Sequence, residues 1–267
     1  MPTVRPATAA DLPGVRAVAD RFGNLAHWPR RPDYLDREQD NGRLWVGVRD
    51  GAVVGFGGTT SRGALTHLAD LFVLPEHQSS GVGQALLARL LPAGAPRVTF
   101  ASSDPRAIAL YTRQGLLPRC PVLYLSGRLA PLPPSPPALR VTAADLTDLD
   151  AVASGGARPA DLTWYGELPE VSAWRTGDGY ALVRTVGDEL LLGPAGGATP
   201  EDCAAAVLAA LAAHRDLAAA RLTVFGPNPV LPLLLGYGFL VTDMDVFAAS
   251  EPDTLPLDRY LPHPDLG

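Results

Sequence analysis

A proline-rich segment divides this chain into two halves. Residues 130–137 read Ala-Pro-Leu-Pro-Pro-Ser-Pro-Pro. Because proline fixes φ and removes a hydrogen-bond donor, they cannot form a helix interior or a central strand. A chain of 267 residues is also long for one small domain and sufficient for two. We therefore predict an N-terminal domain at 1–130, an extended linker at 131–138, a second domain at 139–250 and a tail at 251–267.

The two halves share a short motif. Thr-Ala-Ala-Asp-Leu occurs at residues 8–12 and again at 142–146. In both places it follows a short apolar stretch and opens a helix with an acidic first turn. Coincidence is an alternative in an alanine-rich chain, but the equivalent position in each half favours duplication.

The hydrophobic patterns of the halves follow a similar order. In the first half they predict strands at 44–48, 53–59, 67–74, 98–101 and 122–128, with helices at 82–91 and 105–114. In the second half they predict strands at 180–186, 189–192 and 221–225, a helix at 201–214 and another that ends near Gly236. Both halves therefore read as mixed α/β.

Composition narrows the possible partners. The formal net charge of −6 argues against a general nucleic-acid binder, which needs a basic face. No stretch is apolar enough to span a membrane, and no secretory signal is evident, so a cytoplasmic protein is expected. Cys120 and Cys203 have no metal-ligand spacing and are expected to be reduced structural thiols, with no metal bound. The chain contains no lysine, which excludes lysine-based chemistry.

Residues 71–87 form the most informative stretch. An apolar strand runs into a turn with glycines at 81 and 83, and a helix begins there. This arrangement presents unpaired main-chain N–H groups and the positive end of a helix dipole to one place, which would bind an anion such as a diphosphate. An ordinary strand-to-helix turn without a ligand is the alternative.

This stretch resembles motif A of the GCN5-related N-acetyltransferases (GNAT). Gln78, Gly81 and Gly83 match the Gln/Arg-x-x-Gly-x-Gly/Ala turn that holds the coenzyme A pyrophosphate in that family. Ser80 departs from it, because the family often has Arg or Lys there, so we expect amides and hydroxyls to meet the phosphate charge.

The resemblance implies a mixed α/β fold of two GNAT-like domains in tandem, each a mostly antiparallel mixed sheet flanked by helices. It also implies acetyl-CoA as co-substrate. The residues that it assigns to acetyl-CoA are Leu71, Phe72, Val73, Gln78, Ser79, Ser80, Gly81, Val82, Gly83, Gln84 and Asp104.

A second resemblance follows downstream. Residues 104–116 resemble the family's Asn-x-x-Ala-x-x-Leu-Tyr-x-x-x-Gly-Phe helix, with Asp104 in place of Asn. The resemblance gives Tyr111 the role of protonating the departing thiolate. Taken alone, Tyr111 could equally be an aromatic residue of an amphipathic helix.

The implied reaction is the attack of an amine on a thioester, which needs a proton acceptor and a polarised carbonyl. The main-chain N–H groups near Phe72 and Val73 are expected to orient the pantetheine and polarise the carbonyl. By position in the family's strand, His67 and Asp70 are candidate bases, and a structural role is the alternative for each. Strand alternation would put the two on opposite faces unless a bulge intervenes.

The acceptor side is less defined. Residues 22–34 occupy the place of the family's acceptor segment, and Arg30 and Arg31 could bind a carboxylate. A solvated loop is the alternative. We expect a small-molecule amine acceptor and leave a homodimer open. The competing functions are a non-catalytic acyl-CoA sensor and an acetyltransferase for protein N-termini.

The second half lacks the pyrophosphate signature. Its corresponding turn, residues 193–202, contains Pro194 and Pro200, which lack N–H donors, followed by two acidic residues. Leu234 or Leu235 stands where the first half has Tyr111. We therefore predict a degenerate, catalytically silent domain. Its aromatic side chains either line the acceptor cleft or belong to the core, and they are Trp164, Tyr165 and Trp174.

Overall fold

The computed structural model describes residues 3–91, 94–130, 132, 133, 135 and 138–267. They form two compact units: the described residues of Met1–Ser61 with Thr66–Arg97, and Arg62–Leu65 with Val98–Gly267. This division falls earlier than the predicted linker, of which residues 131, 134, 136 and 137 lie outside the described part. The reason lies in how the strands of the second unit pair.

The first unit is a sheet with helices on both faces. In chain order its elements are β1 (Thr3–Pro6), α1 (Leu12–Arg21), α2 (Tyr34–Asn41), β2 (Arg43–Arg49), β3 (Ala52–Arg62), β4 (Leu65–Val73) and α3 (Val82–Leu90). The spatial order is β1-β2-β3-β4, and β2 is antiparallel to β1 and β3. Arg62 and Leu65, at the ends of β3 and β4, are counted in the second unit.

Glycines set the packing of α3. A side chain at Gly47 or Gly57 would collide with Val82 or Leu90 of α3, so these glycines let the helix approach the sheet closely. A side chain at Gly58 would instead collide with the Glu38 carboxylate of α2. Because successive residues of a strand point to opposite faces, α3 and α2 cover opposite sides of β3.

The second unit carries the remaining elements. In chain order they are β5 (Arg97–Ser102), α4 (Pro105–Arg113), β6 (Leu117–Arg128), β7 (Leu139–Val141), α5 (Thr147–Ala153), α6 (Pro159–Gly166), β8 (Val171–Thr176), β9 (Gly179–Val186), β10 (Glu189–Gly197), α7 (Pro200–Ala212), β11 (Ala219–Phe225), α8 (Val230–Gly236), β12 (Leu240–Ala249) and β13 (Tyr260–Leu261). The spatial order is β5-β12-β6-β11-β10-β9-β8-β7, with β13 on β10. Among the described pairings of this unit, β10 and β11 run parallel and the other pairs are antiparallel.

The same sequence of elements occurs twice, which confirms the predicted tandem, mixed α/β fold. Strand, two helices, three strands, helix, strand, helix and strand run from β1 to β6 and again from β7 to β12. The repeated motif has one function in both copies, because each threonine and aspartate form a capping box. Thr8 Oγ1 donates to Asp11 at 2.7 Å, and Thr142 Oγ1 donates to Asp145 at 2.6 Å.

The two copies exchange their last strands. The strand β6 closes the first copy but pairs with β11 of the second, from Ala219↔Arg128 to Phe225↔Val122. Reciprocally, β12 closes the second copy but pairs with β5 of the first, and β6 and β12 pair with each other. The main part of the compact second unit therefore begins at β5. The predicted boundary near residue 130 divides the two duplicated copies, and it stays a prediction.

The main core of the second unit lies under α7 and α8. Leu125, Leu190, Val207, Leu222 and Leu234 belong to one buried cluster. Burying such side chains stabilises the fold by about 1.5–3 kcal/mol each. The strands β6, β10 and β11 and the helices α7 and α8 therefore pack around one core.

Candidate active site

The loop between β4 and α3 has an unusual backbone. Leu74 N–H donates to Val54 O at 3.0 Å, and a 3-10 turn at Pro75–His77 follows. Ser79 then has φ 61° and Gly81 has φ 85°. Left-handed backbone is strained for residues with a Cβ and suits glycine. The loop therefore turns sharply into α3, of which Gly81 is the N-cap.

Side chains of the loop hold this turn. Gln78 Nε2 donates to Val73 O at 3.2 Å, and Ser80 Oγ donates to His77 O at 2.6 Å. Since the Ser80 hydroxyl gives its proton to the loop, it has none to offer an anion. Main-chain amides of this turn remain as donors.

The first turn of α3 supplies those amides. The first main-chain hydrogen bond at its start runs from Ala85 N–H to Gly81 O at 3.0 Å. The N–H groups of Val82, Gly83 and Gln84 come before it, and a helix offers no internal acceptor to its first N–H groups. The helix dipole adds positive potential at the same end, so the position favours an anion.

Gly83 has no packing reason inside the protein to be glycine. An added Cβ would meet only Val73 Cγ2, at 3.7 Å, which is an ordinary contact. Its φ is not in the left-handed region either, unlike that of Gly81. The open space at Gly83 therefore lets a ligand approach the helix backbone.

A cation that sequence analysis missed lies beside the loop. Arg49 Nη1, at the end of β2, is 3.4 Å from His77 Nδ1. Sequence reasoning found no cation to replace the one that the family often has at position 80, because Arg49 reaches this place through the packing of the β2 end against the loop. A guanidinium therefore accompanies the amides at the junction.

The end of β4 is half-buried. Leu71, Phe72 and Val73 are all partly exposed. The Phe72 ring lies 5.6 Å from Phe56 of β3 and 5.1 Å from Phe22, the C-cap residue of α1, so it packs β4 against both. The Phe72 side chain thus holds the end of β4 in place, and the backbone continues from Val73 into the loop that leads to α3.

The two predicted bases are interior residues of β4. His67 is 1% exposed and Asp70 is 6% exposed. Both belong to the first unit. Their role as proton acceptors stays a prediction.

The predicted acid lies in the second unit. Tyr111 is 8% exposed on α4. Asp104 is the N-cap of that helix: it accepts from Arg106 N–H at 2.8 Å and pairs with the Arg106 guanidinium at 2.6 Å. These hydrogen bonds from Arg106 lower the pKa of Asp104. Asp104 therefore fixes the start of the helix that carries Tyr111.

The predicted acceptor segment is partly structural. Trp28 is buried, with its ring 5.9 Å from that of Tyr34. Asp33 caps α2 and pairs with Arg16 at 2.7 Å. Arg30 and Arg31 are exposed. Their binding of a carboxylate remains a prediction.

The corresponding junction of the second copy is closed. Only Ala198 and Thr199 separate β10 from α7. Thr199 caps the helix: its Oγ1 accepts from Asp202 N–H at 3.1 Å and donates to the Asp202 carboxylate at 2.7 Å. Residues 193–197 of the turn predicted at 193–202 are strand, because β10 continues to Gly197 with an irregularity after Leu192. This helix end has no room for a phosphate loop.

Among the other predicted features of the second copy, Leu234 and Tyr165 are core residues. Leu234 is fully buried, whereas Leu235 is exposed. Tyr165 is 1% exposed with its ring 5.1 Å from His263, and Trp174 packs edge-on against His214 at 5.3 Å. Trp164 is partly exposed.

The described residues were also compared with the requirements of a metal site and of a reactive thiol. Those residues hold no group of three or more His, Cys, Asp or Glu arranged for a metal ion. Burial raises the pKa of Cys120 to about 11 and that of Cys203 to about 12, which disfavours the reactive thiolate. Among the described helices, none has the length and hydropathy needed to cross a bilayer.

The β4–α3 junction thus has the features of a site for an anionic cofactor on a strand–turn–helix unit. Residues 15–116 match the Acetyltransferase (GNAT) family. Through this segment the chain is similar to the GNAT family, whose fold supports acyl transfer. A search of curated proteins gave no match.

Solved structures extend the likeness over the whole chain. A Pyrococcus horikoshii protein with a provisional acetyltransferase assignment has a TM-score of 0.78 at 16% identity, covering 97% of this chain and 92% of its own. A tandem GNAT protein from the clavulanic acid biosynthesis pathway has a TM-score of 0.60 at 18% identity, covering 95% and 100%. A GCN5-related N-acetyltransferase from Sphaerobacter thermophilus has a TM-score of 0.58 at 15% identity, covering 96% of both. These identities establish the fold alone.

Proposed function

We propose that this protein is an N-acetyltransferase that transfers the acetyl group of acetyl-CoA to a primary amine of a small-molecule or amino-acid-like acceptor. The observation that carries the proposal is Gly83, whose missing side chain serves no internal contact. A diphosphate lying across the amides of Val82, Gly83 and Gln84 would need that space. The match of residues 15–116 to the GNAT family supports the same ligand.

The proposed cofactor site follows the chain from β4 into α3. The main chain of residues 71–73 would hold the pantetheine, and residues 78–84 would hold the diphosphate. Asp104 would contribute by fixing the start of α4, consistent with its bonds to Arg106.

Arg49 is proposed to supply the positive charge that Ser80 lacks. Its guanidinium already lies at the loop, 3.4 Å from His77 Nδ1. A guanidinium binds phosphate oxygens through several donors, so a shift of an exposed side chain suffices to reach one.

Acetyl-CoA would bring an activated acyl group as its thioester. An alkyl ammonium with a pKa of ~10 must lose a proton before it attacks, so the protein needs a proton acceptor. His67 and Asp70 are the proposed acceptors on β4, and Tyr111 is the proposed donor to the leaving sulfur. Main-chain N–H groups near Phe72 and Val73 are proposed to stabilise charge on the carbonyl oxygen.

We propose one working site per chain. At the second junction Pro200 lacks an N–H, Glu201 and Asp202 place negative charge at the helix start, and Thr199 already caps it. The second copy would then act as a scaffold, completing the sheet beside β5 through β12. A compartment that supplies acetyl-CoA, such as the cytoplasm, is the proposed location, and a homodimer stays open.

The direct test measures coenzyme A release with acetyl-CoA and a panel of primary amines, alongside calorimetric binding of coenzyme A. Turnover with at least one amine and one cofactor per chain is expected. Binding without turnover on any amine, including peptides with free N-termini, would favour an acyl-CoA sensor. Absence of binding at millimolar coenzyme A would contradict the proposal.

A further inference from the structure

A segment that follows β12 is held inside the second unit. We call residues 254–267 of this segment the strap. Residues 251–253, which precede the strap, are exposed. Leu255, Tyr260 and Leu266 of the strap are buried. The strap therefore enters the second unit from an exposed connection.

The strap joins the sheet where two strands part. The strands β10 and β11 pair in parallel up to Leu192 of β10. Past this point β13, which is part of the strap, pairs with Ala195 and Gly196 of β10. Because β9 pairs with the other edge of β10 at the same two residues, β13 lies on the edge that β11 has left. Addition of a strand to a free sheet edge is one of the modes by which proteins bind peptides.

The body of the second unit also contacts the main chain of the strap. Asn228 Nδ2 donates to the main-chain oxygens of Leu257 and Tyr260, at 3.3 and 3.4 Å. The N–H of Gly197 donates to Arg259 O at 3.1 Å. These donors bind groups that every extended peptide has, so they hold the strap in the way that a peptide ligand is held.

A buried arginine holds the far end of the strap. Arg158 Nη1 donates to the main-chain oxygens of Leu266 and Gly267, at 3.3 and 2.8 Å. Its Nε and Nη2 donate to the buried Asp150 carboxylate, at 3.0 and 2.8 Å. Because Asp150 fixes two nitrogens of the guanidinium, the third is directed at the strap.

One side chain of the strap has a pocket of its own. The ring of Tyr260 is fully buried, and the Cζ atoms of Arg62 and Arg158 lie 5.2 and 5.6 Å from its centroid. The Tyr260 hydroxyl accepts from Arg158 Nη2 at 2.8 Å and donates to Gly267 O at 2.6 Å. Cations attract the face of an aromatic ring, and a buried aromatic anchor contributes much of the affinity of an interface. Tyr260 is therefore the residue that selects this segment.

The strap shares little sheet structure with the rest of the unit. The strand β13 spans Tyr260–Leu261, whereas β9 pairs with β10 from Glu189 to Gly197. The remaining contacts come from side chains of the body, chiefly Asn228 and Arg158. Departure of the strap would thus leave the β9–β10 and β10–β11 pairing intact.

We propose that the second copy is a peptide-binding module and that the strap is its tethered ligand. The ligand class is an extended peptide whose main chain adds to β10 and whose tyrosine enters the pocket of Arg62 and Arg158. The strap leaves and re-enters this groove while the sheet stays folded, so a free peptide with the same residues can take its place. This proposal does not depend on the proposed acetyl transfer.

Hydrogen exchange of the wild-type full chain tests the separate opening of the strap. The N–H groups of Gly197 and Gly267 donate to the oxygens of Arg259 and His263 in the strap. Their protection factors should be at least 10-fold lower than those of the amides that pair β9 with β10, because local opening precedes global unfolding. Equal protection of both sets, lost only in global unfolding, would overturn the proposal.

Peptide binding tests the groove itself. A labelled synthetic peptide of residues 251–267 should bind wild type weakly, because the tethered strap competes at an effective concentration of about 1 mM. The full-length variant Tyr260→Ala has a strap without its anchor, so it should bind the same peptide at least 100-fold more tightly. Fluorescence anisotropy measures both affinities. Equal affinities of wild type and folded Tyr260→Ala would contradict the proposal.

Matched controls separate anchoring from general loosening. The peptide that carries Tyr260→Ala should not bind the Tyr260→Ala protein, and binding as tight as that of the unchanged peptide would refute the role of the tyrosine. The protein variant Asp258→Ala changes an exposed residue of the same strap and should behave as wild type. Tyr260→Phe keeps the buried ring and tests the proposal even if Tyr260→Ala fails to fold. It should bind the peptide about 10-fold more tightly than wild type, and a wild-type affinity would count against the pocket.

Discussion

The β4–α3 and β10–α7 junctions are equivalent parts of a repeated fold, yet the N-termini of their helices are capped in different ways. Eight residues separate β4 from α3, and their left-handed turns at Ser79 and Gly81 leave the helix end open. Two residues separate β10 from α7, and Thr199 closes that helix with its own side chain. The loop before each helix thus decides whether the N–H groups of its first turn stay open or are capped by a side chain.

The strand before the helix differs as well. In the second copy, β13 pairs with β10 at Ala195↔Leu261 and Gly196↔Tyr260, while β9 pairs with the same two residues of β10. At these two residues, strands of the protein itself therefore pair with both edges of β10. In the first copy, the GNAT resemblance expects pantetheine at the equivalent position. In the second copy, β13 thus occupies the position beside the strand that we propose for a cofactor in the first copy.

The sharpest test of this contrast compares the variants Gly83→Ile and Glu201→Ile. Gly83 and Glu201 are the second residues of α3 and α7. Gly83→Ile should fold, because its Cβ has space, but should lower acetyl-CoA affinity by about 1,000-fold (~4 kcal/mol) by covering the amides. Glu201→Ile should leave affinity unchanged. Calorimetry measures both, and a normal affinity in Gly83→Ile would refute the placement of the diphosphate.

The next test compares α4 with α8 through Tyr111→Phe and the control Tyr237→Phe. Loss of the Tyr111 hydroxyl should lower kcat by about 100-fold, because the leaving sulfur loses its proton donor. Phenylalanine preserves the packing of this buried ring, so coenzyme A affinity should not change. Steady-state kinetics with the best amine measures the effect; an unchanged kcat would assign Tyr111 to the core.

A smaller effect is expected for Arg49→Ala. Removing one exposed guanidinium from the loop should weaken coenzyme A binding by about 10-fold at low salt, and the loss should shrink as salt increases. The control Arg21→Ala removes an exposed charge from the end of α1 and should bind normally. Equal affinities of the two variants would mean that the amides alone hold the phosphates.

Sequence reasoning found the elements whose signals are local. The order of strands and helices and the Thr-Ala-Ala-Asp-Leu caps follow from periodicity and capping chemistry, which act over a few residues. The spacing of Gly81 and Gly83 likewise predicted the turn between β4 and α3. The family match then supports the interpretation of that loop as part of a GNAT domain.

Features that depend on distant pairing were not predictable. Nothing near Arg49 indicates the loop at His77, and nothing in β12 indicates that Asp245 would stand opposite Ser102 of the other copy. Residues 193–197 of the turn predicted at 193–202 are strand because β13, some 65 residues further along the chain, pairs there. These contacts are set by the register of the whole sheet rather than by local preference.

The smallest expected effect concerns the closed junction itself. Thr199→Ala removes the side chain that accepts from Asp202 N–H, and loss of such a cap costs about 1 kcal/mol, or about 2–4 °C in melting temperature for a protein of this size. The stoichiometry of coenzyme A should stay at one per chain, because the short loop, the acidic first turn and β13 all remain. Thermal unfolding and calorimetry measure the two quantities. A second bound coenzyme A in Thr199→Ala would show that the cap alone had closed the site, and that the length of the loop is the lesser difference between the junctions.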